Sequence, residues 1–427
     1  MRITALFAWL FLSLQTANAQ SEYATYAKKM LDTLSSGFLY GRGHVEQGEK
    51  KASYMIATEF YKMRLQTFSP APSYYQNFSI SANIFPEVPT IAIDNNWLVC
   101  GTEFLPHPAS GPLRGSFPIT VVDSTVLRKA SAFKKIGRKG LKGRVLVLDD
   151  KGLNEDSRKI LQNLASHNPW GAIAIIELVD KLTFGISDKS KTYAHLHVKR
   201  SLFPKDSRQL RVNIQTAFIP EIMSQNVTGY VLGKEVKDTM IVFCAHFDHL
   251  GQIGRHVIFP GANDNASGVA MMLALANYYR KPENQPRYSI AFIGFGAEEL
   301  GLLGSLYYVR NPIIPLSRIK LLINLDMMGN GGEGITVVNA EASKRKFGVL
   351  ERINREKNYV STIKARANAP NSDHYPFSRV GVPAFFMYTM GGSKAYHDIY
   401  DQRDSISWKY FDSVFNLLTD FTHAIQE

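Results

Sequence analysis

From about residue 217 onward, apolar segments with strand character alternate with amphipathic helical segments. The strands read at 239–245, 288–295, 319–325 and 383–388, and the helices at 267–280, 301–310, 343–357 and 407–425. Such alternation predicts an α/β layer, a mixed but largely parallel sheet flanked by helices. Parallel strands place their carboxyl ends along one edge, where ligands bind in such sheets. In this chain, acids and histidines cluster just after the strands, so chemistry is expected along that edge.

Five segments supply candidates. His246 and Asp248 follow the first strand and lie two apart, so an extended backbone points both to one side. His246 offers a ring nitrogen to a metal, and Asp248 is placed to orient that ring. The neighbouring His249 reads as structural. Asp264 lies in a polar loop, Gly261 to Gly268, that opens a helix. An Asp there can act as a helix cap, but Asn265 or Ser267 can take that role. Asp264 is then free to bridge two cations with its two oxygens. Glu298 and Glu299 end the 288–295 strand. Adjacent carboxylates after an apolar run are costly unless a cation or a proton compensates them. Neighbouring side chains point different ways, so one acid can bind metal while the other faces a water. Asp326 follows the 319–325 strand. His397 follows a Gly391-Gly392 loop, with Asp401 four residues on.

This order is H-x-D, then the D of N-D-N-A-S-G, then E-E in G-A-E-E-L-G, then the D of N-L-D-M-M-G, then a late His. It resembles the M28 family of zinc metallopeptidases. The turn Leu39-Tyr40-Gly41-Arg42-Gly43 and the segments Asn226 to Tyr230 and Ser372 to Phe377 match as well. The resemblance implies a zinc exopeptidase fold with two zinc ions per chain. Asp264 would bridge them, His246 and Asp326 would complete one site, and Glu299 and His397 the other. Glu298 would be the general base and Asp248 would orient His246. The implied substrates are peptides, and the implied activity is that of an aminopeptidase. Metal binding lowers the pKa of water from about 15.7 to near 7, which supplies the nucleophile, and two ions can also polarise the carbonyl. The metal set does not fix which end of a peptide is cut. A carboxypeptidase or dipeptidase on the same scaffold, and a related glutaminyl cyclase, are the alternatives. A non-catalytic binding protein is argued against by the complete ligand set together with Glu298. Tyr388 reads as packing.

A chain of 427 residues is expected to form more than one core. Residues 1–19 read as a signal peptide, with Arg2, an apolar run from Ala5 to Leu12 and the Ala17-Asn18-Ala19 cleavage pattern. The run is too short for a membrane anchor. Export to the periplasm or the extracellular space is the expectation, with Gln20 as first mature residue. Residues 20–85 read as the N-terminal part of the catalytic domain, with helices over 21–34 and 49–65, and residues 217–427 as its main part. Residues 86–216 read as a β-rich insert, with strands at 117–122, 143–148 and 171–176 and a helix at 155–166. Its position and strand pattern resemble a protease-associated (PA) domain. It shows no cluster of His, Cys or acidic residues suited to a metal. It is therefore expected to bind or shield, and to be dispensable for metal binding.

The formal charge of +12 owes much to a run from Arg128 to Arg144. The run lacks the interleaved aromatics of a nucleic-acid groove and reads as a solvated face. Cys100 and Cys244 are expected not to pair, because Cys244 sits within an apolar strand. The sequence does not define the oligomeric state.

Overall fold

The computed structural model describes residues 21–68 and 73–427. The expected signal peptide lies outside the described residues. The central sheet has eight strands, in the order Tyr75–Ile84, Ala217–Val231, Tyr288–Phe295, Val236–His246, Ile319–Leu325, Ala384–Thr389, Ile335–Val338 and Ile363–Arg366. Tyr288–Phe295, Val236–His246, Ile319–Leu325 and Ala384–Thr389 run parallel to one another. Antiparallel pairs flank this group, so the sheet is mixed around a parallel centre.

Two-residue periodicity explains why these segments form central strands. Along Val236–His246, Ile241, Phe243 and Ala245 face one core while Met240, Val242 and Cys244 face another. Both faces are covered from Met240 on, so Met240 to Ala245 is apolar throughout. The first core is closed by the helices Glu22–Leu34, Gly48–Lys62, Gly268–Tyr279 and Phe411–Ala424, and the second by Leu303–Arg310 and His374–Arg379. Gly268–Tyr279 is apolar on nearly every side and almost wholly buried, as a helix packed between sheet and outer helices must be.

The chain leaves this sheet along Tyr75–Ile84 and returns along Ala217–Val231, and those two strands pair antiparallel. Between them lies a second eight-stranded sheet. Its central strands, Leu113–Val122, Val145–Leu148, Ala174–Val179 and Ala194–Lys199, are parallel. The strand expected at 171–176 begins later, at Ala174. A helix at Ala130–Lys139, not expected from the sequence, carries much of the basic run; it buries no residue fully and rests on the insert through Phe133 and Ile136. The insert does not stand apart from the rest. Leu250, Ile253 and Phe259, from the loop after the Val236–His246 strand, are part of its core. Cys100 and Cys244 are both buried and unpaired, in different cores. Among the described residues, no helix is long and apolar enough to cross a membrane.

Candidate functional site

The parallel centre brings the loops after Val236–His246, Tyr288–Phe295, Ile319–Leu325 and Ala384–Thr389 to one edge of the sheet. The entry to the Gly268–Tyr279 helix joins them there. Every candidate ligand and catalytic residue singled out in the sequence lies in this group. His246 Nε2 is 3.4 Å from Asp264 Oδ1 and 3.6 Å from Asp326 Oδ1. His397 Nε2 is 3.1 Å from Asp264 Oδ2 and 3.2 Å from Glu299 Oε2. Asp264 therefore turns one oxygen toward each histidine. Asn265 caps the following helix, its Oδ1 accepting the Gly268 N–H at 3.0 Å, so Asp264 is not used as a cap.

The Asp248 carboxylate does more than face an imidazole. Its two oxygens accept the backbone N–H groups of Glu298 and Glu299 at 3.0 and 3.1 Å. It is 3.7 Å from His246 Nδ1, whereas its own carbonyl oxygen is 3.2 Å from that nitrogen. Asp248 thus fixes the loop that carries both glutamates, and the closer contact to the His246 ring comes from its backbone.

Charge identifies what the site can hold. Asp248, Asp264, Glu298, Glu299, Asp326 and Asp373 converge here. Burial opposes charge on the His397 ring, but Glu299 and Asp264 outweigh it and push the ring up to about 11. Burial likewise works against a charged His246, and Glu298 and Asp326 hold it well above the ordinary histidine range. Burial, reinforced by Glu299 and Asp373 and opposed by His246, raises Glu298 well above the carboxylate range. Carboxylates that protonate nearby imidazoles this strongly suit a site built to receive cations, with the imidazoles then neutral donors. His246, Asp264 and Asp326 offer donor atoms within one metal's reach, and so do His249, Asp264 and Glu299. The donor set of imidazoles and carboxylates fits zinc.

Several residues that hold the site were not identified from sequence. His249, read there as structural, donates from Nδ1 to Glu299 Oε1 at 2.7 Å. Ser372 donates to Asp326 Oδ2 at 2.8 Å and accepts from Asn324. Asp401 accepts the backbone N–H groups of Asn263 and Asp264. Arg42, fully buried, donates to the carbonyls of Leu34, Phe247, Pro260, Gly261 and Asp264. The turn before it requires Gly41 at positive φ, where a Cβ would strike the carbonyl of Gly251. The only sign of Arg42 in the sequence is the matched Gly-Arg turn.

The insert reaches the site as well. The Phe184 N–H donates to the His397 carbonyl at 2.8 Å. Lys181 donates to the Lys394 carbonyl and lies 3.2 Å from Asp398. The expectation that residues 86–216 can be removed without touching the ligands meets these contacts, because the loop bearing His397 rests on the insert.

Above the cluster opens a cavity of about 250 Å³, walled by Arg366, Asn371, Phe386, Tyr388 and Tyr396. Arg366 donates to the Tyr388 hydroxyl at 3.0 Å. A wider hollow of about 630 Å³, bordered by Lys62, Tyr230 and Arg280, has no acid or histidine in its wall among the described residues. The smaller cavity is the one whose wall includes His246, Asp264, Glu298, Asp326 and His397.

Residues 226–422 match Peptidase family M28. Aminopeptidase YwaD of Bacillus subtilis (strain 168) is 34% identical over 164 residues, 37% of this chain and 34% of that protein. The chain spans about a third of the length of the curated relatives it matches. Two solved structures share the fold over nearly the whole chain. One is BSAP, a zinc aminopeptidase from Bacillus subtilis, with a TM-score of 0.68 at 21% identity, covering 94% of this chain and 95% of that one. The other is an aminopeptidase from Aneurinibacillus sp. strain AM-1, with a TM-score of 0.63 at 20% identity, covering 93% and 92%.

Proposed function

We propose, for a chain that belongs to peptidase family M28 through residues 226–422, that it is an exported zinc-dependent aminopeptidase. The observation that carries this reading is Asp264, whose two oxygens face His246 and His397 separately. His246, Asp326 and Asp264 would hold one ion, and Glu299, His397 and Asp264 a second. Bound zinc supplies Lewis acidity, which makes water nucleophilic at neutral pH and draws charge from the scissile carbonyl.

The protein's own groups do the rest. Glu298 borders the cavity, which places its carboxylate to take a proton from water and pass it to the leaving amine. Asp248 fixes the backbone of Glu298 and Glu299, and so sets where that proton transfer occurs. Asp401 and Arg42 immobilise the loop that presents Asp264. The cavity admits about one side chain and its adjoining backbone, which fits removal of a terminal residue better than cleavage within a long chain. The names of YwaD and of both solved structures favour the amino end.

A panel of peptides with free and blocked ends, read by mass spectrometry, tests the reading. N-terminal acetylation is expected to stop cleavage, and C-terminal amidation to leave it intact. The reverse pattern would make the protein a carboxypeptidase, and loss of ammonia with ring closure of N-terminal Gln would make it a cyclase. Export rests on the signal pattern of residues 1–19 and predicts Gln20 as the first residue of the secreted protein. N-terminal sequencing that finds Met1 intact on a cytoplasmic pool would remove that part of the proposal.

A further inference from the structure

A second group of metal-ligating side chains lies in the insert, where the sequence showed none. Glu177 is on the Ala174–Val179 strand, and His195 and His197 are on Ala194–Lys199. The two histidines are two residues apart, so they share a face of their strand. The parallel register sets Glu177 beside His197. His195 Nε2 is 2.7 Å and His197 Nε2 3.6 Å from the same oxygen, Glu177 Oε1. Two donors of a tetrahedral zinc ion stand about 3.3 Å apart, given bonds of about 2.0–2.1 Å. The observed spacings bracket that value, and the three donor atoms lie within one ion's reach.

We propose that Glu177, His195 and His197 form a further divalent-metal site, with donors that suit zinc and its fourth position open to solvent. The openness follows from side-chain exposures of 2% for His195, 21% for His197 and 32% for Glu177, which place the closed end at His195 and the mouth at the other two. Two imidazoles and one carboxylate are a donor set that zinc accepts with water as the fourth ligand.

The surroundings prepare these groups. His107 stacks on His195 with ring centroids 4.3 Å apart, and its backbone N–H donates to the His195 carbonyl. The His107 Nδ1 accepts the Ala109 N–H, so that ring is occupied as packing and is not counted as a ligand. The His195 ring is almost wholly buried, with Nε2 turned to the Glu177 carboxylate. Burial would raise Glu177, but the hydrogen bonds from His195 and His197 outweigh it and keep the carboxylate ionised.

Among the described residues, Lys191 is the cation that stands against the site, with Nζ 2.7 Å from His195 Nδ1. Without metal, Lys191 donates to Nδ1, and the Nε2–H of His195 donates to Glu177. Metal at Nε2 displaces that proton to solvent. Lys191 then gives a proton to Nδ1 and stays behind as a neutral amine, so one proton leaves per ion bound. The ion would tie together two neighbouring strands next to the edge strand Phe104–Pro106.

The test uses the full-length protein, stripped by a chelator and then titrated with zinc chloride alone. Native protein is expected to bind one zinc more than His197→Ala or Glu177→Gln, with equal peptidase turnover in all three at saturating zinc. In an Asp264→Asn background, about one zinc should remain, and His197→Ala should remove it. Lys191→Met should bind the ion more tightly, because no ammonium then stands against the His195 ring. Equal zinc content in native protein and in both His197→Ala and Glu177→Gln, with native circular dichroism throughout, would overturn the proposal.

Discussion

Glu298→Gln is expected to keep its zinc while turnover falls about 10²–10⁴-fold, the usual worth of a general base. The two adjacent glutamates differ in what already holds them. Both oxygens of Glu299 are engaged, Oε1 by His249 at 2.7 Å and Oε2 by His397 at 3.2 Å. The Glu298 side chain borders the cavity, and no hydrogen bond to it occurs among the described residues. A neutral amide at 298 therefore costs proton transfer but no ligand. Glu299→Gln puts a poorer donor at one metal, so zinc should be lost there and turnover partly restored by added zinc. Asp248→Asn should fall between the two. Its amide nitrogen can no longer accept one of the two backbone N–H groups, so the glutamate loop loosens without losing a ligand. Zinc loss in Glu298→Gln, with both ions retained in Glu299→Gln, would reverse the two roles.

Arg42→Met should destabilise the fold by about 3 kcal/mol or more, because several buried carbonyls lose a donor and each unpaired acceptor is costly. Met approximates the length of the side chain but supplies no donor, so the buried carbonyls of Leu34, Phe247 and Asp264 lose this donor, while that of Gly261 keeps the Ala266 N–H. Each unpaired buried acceptor costs about 1–3 kcal/mol before the structure relaxes. Arg42→Lys should recover little, because an ammonium cannot reproduce the planar fork that reaches all these carbonyls at once. Denaturant unfolding should show a lower midpoint with an unchanged slope. A loss under about 1 kcal/mol, below the cost of a single unpaired buried acceptor, would mean that water or a neighbouring group satisfies those carbonyls. The same substitution should weaken metal binding, since Arg42 grips the loop that presents Asp264 through the carbonyls of Gly261 and Asp264 itself.

Much of the catalytic half could be read from the sequence because its signals are local. Each central strand is a short apolar run, and His246, Glu298, Glu299 and Asp326 follow such runs directly, so periodicity and position identify both strand and residue. The strands at Ile335–Val338 and Ile363–Arg366 escaped because each is only four residues long. The pairing of Tyr75–Ile84 with Ala217–Val231 escaped because the whole insert separates the partners. Arg42 acts on Asp264 across 222 positions, and Asp401 on the same loop across 137. Neither contact leaves a trace near either residue. His195 and His197 share a strand face by their spacing, but Glu177 joins them only through the register of the neighbouring strand, which no local pattern states.

The zinc content of Asp264→Asn tests the central claim most directly, because one residue is held to serve both catalytic ions. With native protein and variant both saturated with zinc and freed of excess, the variant should carry about two ions fewer per chain, as expected of a two-metal hydrolase site. Its peptidase turnover should be lost with them. A folded Asp264→Asn that holds as much zinc as the native protein and turns over peptide at the native rate would contradict the account.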